Sequence, residues 1–229
     1  MKKNVEDVDV IWNEGRLHER FTPSDLGRYD AVIASHVVEH LPNPLAFFQS
    51  CESLLKPRGR IVLALPDKRR CFDFFGNIST TGDILENYLN ARTTHTARAA
   101  FNDAAYAVRN GGAIGWGPGQ IENLEFVHPF DRAIGVAKRS QRVPAQYFDH
   151  HAWRFVPSSF SLIILELQMM GLINLRIVRI SDTMTQEFFV EIAGDQLPLP
   201  STEELANRRL ALLKENLRSV SLQVQELGE

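Results

Sequence analysis

The spacing of apolar residues changes twice between residues 28 and 67. "RYDAVIAS" (28–35) is a nearly unbroken apolar run, which predicts a strand buried on both faces, as in a parallel sheet. In "NPLAFFQSCESLLKPRG" the apolar residues fall on one side of a helix instead. Leu45, Phe48, Leu54 and Leu55 form that side, Asn43 caps its start with Pro44 in the first helical position, and Pro57 with Gly59 ends it. "GRIVLALPD" (59–67) returns to a buried strand. Strand, helix and strand with short joints make a βαβ unit, whose crossover is expected to be right-handed.

Before this unit, "VDVIW" (8–12) predicts another short strand. After Asp67 the pattern loosens. "DKRRCFDFFGN" is polar and aromatic, residues 81–92 and 95–109 have helical spacing, "NGGAIGWGPGQ" (110–120) is a glycine-rich loop, and 128–141 suits a further helix. Regularity resumes in "HAWRFVPSSFSLIILELQMMGL", where Ser158 or Ser159 opens a helix that Gly171 closes. "INLRIVRIS" (173–181) and "QEFFVEIAG" (186–194) then form two strands, too close in sequence for a crossover and therefore antiparallel. In the tail, Ser201 and Glu204 make a capping box. Ala206, Leu210, Leu213, Leu217, Val220, Val224 and Leu227 follow in steps of four and three, an a/d seam of about three heptads. Such a helix either lies on its own domain or pairs with another copy. The breaks divide the chain into a core at 1–67, a helical and loop insertion at 68–150, the end of the core at 151–195 and an amphipathic helix at 201–229. The fold class is α/β.

Composition narrows the partners more than the fold. The 229 residues include 44% hydrophobic and 23% charged residues, ordinary values for a globular protein, and the formal net charge of −3 gives no reason to expect nucleic acid as a partner. Cys51 and Cys71 are too few for a disulfide framework or a four-cysteine zinc site, so two reduced thiols in a cytoplasmic protein are expected. "MKKNVEDVDVIW" has acidic residues where a signal peptide needs an apolar run, and "FSLIILELQMMGLI" is too short and too interrupted by Glu166 and Gln168 to span a bilayer.

The chemistry concentrates in "SHVVEH" (35–40). His36-Val37-Val38-Glu39-His40 has the H-x-x-E-H spacing of a zinc-peptidase helix, with "DHH" (149–151) offering a third ligand. The spacing requires a helix, however, and these residues follow a buried strand and precede Pro42 and Pro44, so no metal is expected here. "YDAVIASHVVEHLPNPLAFFQSCESLLKPRGRIVLALPD" resembles instead the segment after the cofactor loop in class I S-adenosylmethionine-dependent methyltransferases (the type 11-like group). The pair at 173–194 resembles that fold's last hairpin, and "HAWRFVPSSFSLIILELQMMGL" the helix before it. The resemblance implies a Rossmann-like sheet with its ligands beyond the carboxyl ends of the strands. It places Trp12, Asn13, Glu14 and Gly15 near the adenine of S-adenosylmethionine, and Ala34, Ser35 and His36 beside the methionine moiety, with Glu39 and His40 just behind. Asp67 and Lys68 would face the acceptor, a small molecule or glycan precursor, together with His150, His151 and Trp153. His36 is the candidate general base. Phe72, Phe74, Phe75, Trp116, Tyr147 and Phe148 add aromatic surface in or near the insertion, part of it core and part of it acceptor pocket.

One departure is large. The family's glycine-rich loop after its first strand, and the carboxylate after its second, have no counterpart here. In the family's strand order 3-2-1-4-5-7-6, "VDVIW" stands as strand three and "DAVIAS" as strand four, leaving strand four with an open edge. Three arrangements satisfy that edge: the chain is a fragment of a longer methyltransferase, strand three crosses over to pair with strand four, or a second chain covers it, helped by the C-terminal heptads. Two functions follow: the body of a methyltransferase, or a truncated, cofactor-free relative that serves as a binding or assembly subunit.

Overall fold

The computed structural model describes residues 8–119, 121–143, 146–194 and 199–227. Strand β1 (Tyr29–Ser35) and strand β2 (Leu55–Pro66) run parallel, with Val32 opposite Ile61 and Ser35 opposite Ala64. Helix α1 (Pro44–Leu54) connects them, and Asn43 caps it as expected: its Oδ1 accepts the N–H of Ala46 at 3.1 Å. Pro57 and Gly59 do not end the helix. α1 stops at Leu54, and both residues belong to β2.

Helix α2 (Thr81–Leu89), helix α3 (Ala97–Tyr106), the paired strands β3 (Val108–Asn110) and β4 (Leu124–Phe126), and helix α4 (Phe130–Arg142) make up the insertion. Gly111 and Gly112 take positive φ, +55° and +85°, so that Asn110 can bridge to Ala113 in a tight turn. The glycine run is pinned at its far side, where Trp116 donates its N–H to Arg70 O at 2.8 Å and its ring packs on Phe74.

Helix α5 (Pro157–Met169) follows. It opens two residues earlier than Ser158 as the cap allows: Val156 is the cap, and Ser159 Oγ accepts the Val156 N–H at 3.0 Å from inside the first turn. Gly171 closes it at φ +68°. Strand β5 (Leu175–Ile180) pairs antiparallel with β6 (Glu187–Gly194), which pairs antiparallel with β2, giving the order β1-β2-β6-β5. This is the 4-5-7-6 half of the sheet that the resemblance implies. α1 and α5 cover one face of it, and Phe48, Ile61, Leu63, Phe160, Ile163, Phe188 and Ile192 form the core between them.

Two strand expectations fail, for one reason. Residues 8–12 form no strand, because no partner chain of hydrogen bonds reaches them. Val8 and Ile11 are exposed, and Trp12 alone packs inward, stacking on Phe47 at 6.3 Å. β1 is therefore not buried on both faces. Among the described residues β2 is its only neighbour, and Ala31, Ile33 and Ser35 face outward, Ile33 at 78% exposure. Val62 and Phe189 lie exposed on the neighbouring strands.

Helix α6 (Thr202–Glu226) is capped by Ser201, whose Oγ accepts the Glu204 N–H at 3.2 Å. It does lie on its own domain, but not through its apolar seam. Its inner face carries half-buried Leu205 and Leu212 and a row of polar contacts: Asn216 accepts from Ser158 Oγ at 2.7 Å, Gln223 accepts from Lys68 Nζ at 2.7 Å, and Glu226 pairs with Arg70. Leu210, Leu213, Leu217, Val220, Val224 and Leu227 all point to solvent, Leu217 at 72% exposure.

Candidate functional site

β1 ends at Ser35, and the next residue makes the turn. His36 sits in the left-handed region at φ +52°, costing about 1 kcal/mol for a residue with a Cβ, while its N–H still donates to Ala64 O at 3.0 Å. A short 3-10 turn, Val38–His40, follows before Pro42 and Pro44. The turn drives Val38 and Glu39 inward and leaves His36 and His40 half-buried. The "DHH" segment is stitched onto it. Ala152 and Trp153 donate their N–H groups to Glu39 O at 2.8 and 3.3 Å, and the Trp153 indole donates to Leu41 O at 2.5 Å. Residues more than 100 positions apart thus share one wall.

Four histidine–carboxylate pairs surround this junction. His36 Nε2 lies 2.7 Å from Glu187 Oε2, at the start of β6. His40 Nδ1 lies 2.7 Å from Asp149 Oδ1, which Tyr147 Oη also reaches at 3.1 Å. His151 Nδ1 lies 2.6 Å from Asp73 Oδ2, and His150 Nδ1 lies 3.0 Å from Asp103 Oδ2. Asp73 is buried, and burial alone would raise its pKa. Arg154, whose Nε is 2.7 Å away, and His151 outweigh that and lower it. Burial likewise disfavours the charged His151, but the hydrogen bond and charge of Asp73 leave its pKa raised.

Glu39 stands apart. Its side chain is 0% exposed, and neither carboxylate oxygen has a hydrogen-bond partner. His36 Nδ1 is 3.4 Å and His40 Nε2 3.9 Å from Oε1. Burial raises the Glu39 pKa; its own backbone N–H, and then the nearby imidazoles of His151, His40 and His36, offset part of that rise. The ligand atoms of Glu39, His40 and His151 lie within 4.8 Å of one another.

The other predicted positions are dispersed. Ala34 is buried and Ser35 exposed at the end of β1. Trp12 donates its indole N–H to Gly15 O at 3.0 Å; Asn13 and Glu14 are exposed, Gly15 holds φ +69°, and Glu14 pairs with Arg20. Asp67 and Lys68 are both buried and already engaged. Asp67 binds Arg69 and Thr183, while Lys68 Nζ donates to Phe74 O and Gln223. Among the aromatic residues, Phe74 and Trp153 are core, Phe72 packs on the His151 ring, and Phe75 and Tyr147 are exposed. Sequence reasoning missed Glu187, Asp73 and Asp103. Asp149 carried a signal, since it directly precedes His150 and His151.

A methyltransferase domain model matches residues 2–117, just over half of the 229 residues, and the match runs through β1, the 35–40 turn and β2. The chain belongs to the methyltransferase domain family. Within this chain, a stretch of 38 residues is 47% identical to ubiquinone biosynthesis O-methyltransferase of Xanthomonas campestris pv. campestris (strain B100), covering 17% of the chain and 16% of the relative. The enzymes of that name from Xanthomonas axonopodis pv. citri (strain 306) and Haemophilus ducreyi are 39% identical over 46 residues and 38% over 48, spanning 19% and 20% of their own lengths. The chain thus aligns with a fifth or less of these relatives.

S-adenosylmethionine is the methyl donor that the family implies. Among the described residues, β2 is the one strand paired with β1, whose other edge lies where the family's glycine-bearing strand belongs. The described residues do not close a cradle around the cofactor. Among them, no helix is long and apolar enough to cross a membrane.

Proposed function

We propose that this protein is an S-adenosylmethionine-dependent methyltransferase-like protein whose acceptor is a small molecule or glycan precursor bound over the carboxyl ends of β1 and β2. The observation that carries this reading is the turn at 35–40, which lies inside the family match and leaves the His36 side chain 37% exposed at the strand end. His36 is the residue we assign as base, and Glu187 orients its ring from the start of β6, across β2. The insertion at 68–150 forms the acceptor side, with His150, His151 and Trp153 at its junction with the core. The two free buried thiols, Cys51 and Cys71, suit the cytoplasm.

Titration calorimetry of the purified chain with S-adenosylmethionine and S-adenosylhomocysteine tests the reading. Binding at about micromolar affinity or tighter is the expected result, and in an active form His36→Ala lowers turnover by roughly 10²-fold or more while leaving cofactor affinity within a factor of about two. A folded chain that binds neither ligand favours a second reading, a non-catalytic relative acting as a binding or assembly subunit. The free edge of β1 and the uncovered Ile33, Val62 and Phe189 support that alternative. Either form is proposed to self-associate through the outward seam of α6 or the edge of β1.

A further inference from the structure

We propose that Glu39, His40 and His151 bind a divalent transition-metal ion, with zinc the best match to two imidazoles and one carboxylate. The H-x-x-E-H spacing in the sequence points to His36 and His40 as the metal pair. The fold exchanges one of them: His36 turns to Glu187, and His151 arrives from the far side of the insertion.

Three independent features make this a built site. The first is the ligand set. The ligand atoms of the three residues lie within 4.8 Å of one another, and the His40 and His151 rings meet edge to face at 4.5 Å between centroids. Neighbouring ligands around a tetrahedral zinc stand about 3.3 Å apart, so modest side-chain rotation would close the group on an ion.

The second is the outer shell. Metal-binding histidines usually give their remaining ring nitrogen to a carboxylate or carbonyl, which sets the ring's orientation. Both histidines here do so through Nδ1, His40 to Asp149 at 2.7 Å and His151 to Asp73 at 2.6 Å. Each Nε2 is left for the ion, and that of His40 already faces Glu39 at 3.9 Å. Arg154 in turn holds Asp73 at 2.7 Å, so the support extends one layer further.

The third is Glu39. A fully buried carboxylate with no hydrogen bond to either oxygen is rare in proteins, because desolvating it costs several kcal/mol. The nearest imidazole nitrogens, His36 Nδ1 at 3.4 Å and His40 Nε2 at 3.9 Å, make no hydrogen bond to it. A cation between Glu39 and the two histidines satisfies that carboxylate. Three protein ligands leave at least one coordination position open for water or an oxygen ligand.

The test uses the full chain, stripped with chelator and dialysed, and titrated with zinc chloride alone by calorimetry, with bound metal measured by mass spectrometry. Cobalt chloride supplies a visible spectrum that reports the donor set. One zinc ion per chain is expected. Glu39→Gln and His151→Ala are each expected to weaken binding by at least about 100-fold, Asp149→Asn by about tenfold, and His18→Ala, a histidine on Ser50 of α1, to leave it unchanged. A folded wild-type chain that takes up no zinc overturns the proposal, whatever the variants do. So does binding that survives Glu39→Gln and His151→Ala undiminished. The metal measurement is independent of S-adenosylmethionine, so its failure and the failure of the methyltransferase reading are separate results.

Discussion

His36 and Glu39 are three residues apart and have opposite surroundings, and that contrast organises the site. His36 is hydrogen-bonded to Glu187 and stays accessible; Glu39 is sealed without a hydrogen bond to its carboxylate. The sequence showed both because they follow directly from a strand end. It did not show that Glu187 pairs with His36, Asp149 with His40 or Asp73 with His151. Those contacts depend on which strand lies beside β2 and on where the insertion folds back, and no local periodicity carries that information. His95 is a further residue whose environment matters. Neither ring nitrogen has a hydrogen-bond partner, and burial lowers its pKa from 6.5 to about 4. The folded state therefore keeps His95 neutral where the unfolded chain takes up a proton. Its contribution to stability is complete above about pH 6.5 and is lost as the pH falls toward 4, by on the order of 2 kcal/mol. Urea unfolding at pH 7 and pH 5 should show His95→Phe losing less stability over that interval than wild type, whereas equal losses would rule this contribution out.

At the level of elements, α1, α5 and the β5–β6 pair were legible because each has a cap, a period or a short connection that dictates it. "VDVIW" was not, and α6 was legible as a capped helix but not in the direction of its apolar face; both show what a pattern leaves open. An apolar run has strand propensity, but a strand exists only where a neighbour accepts its hydrogen bonds, and residues 8–12 have none. An a/d seam identifies an apolar helix face without saying which way it points. In α6 the polar partners Lys68, Arg70 and Ser158 claim the other face and turn the leucines outward. If that seam pairs two copies, Leu213→Lys with Leu217→Lys should shift the mass measured by light scattering from dimer to monomer. The melting temperature of the monomer should stay within about 2 °C, since neither side chain packs on its own domain. A wild-type chain that is already monomeric would remove the seam from consideration.

For the whole molecule, the core lies on one side of a four-stranded sheet, under α1 and α5, and the largest buried side chains meet there around Phe160. The resemblance identified this half-sheet correctly. The insertion was legible only as a region, because its packing depends on distant residues: α3 meets α4 through Ala104, Ala105 and Ala133, and the glycine-rich turn leans on Phe74 and Arg70. The last turn of α6 completes that arrangement. Gln223 and Glu226 hold Lys68, the Phe74 carbonyl and Arg70, and Glu226 O accepts the N–H of Ile121 just beyond the glycine run. The final helical turn therefore acts as a latch on a hairpin a hundred residues upstream, and the protection of one should report on the other. Limited proteolysis should cut the 110–119 stretch faster in Glu226→Ala than in wild type, with the helical core surviving as a larger fragment. A chain trimmed by a few residues at its carboxyl end would then be altered first beside the end of β2 and in the glycine-rich hairpin, about a hundred residues or more away in sequence and in direct contact in space.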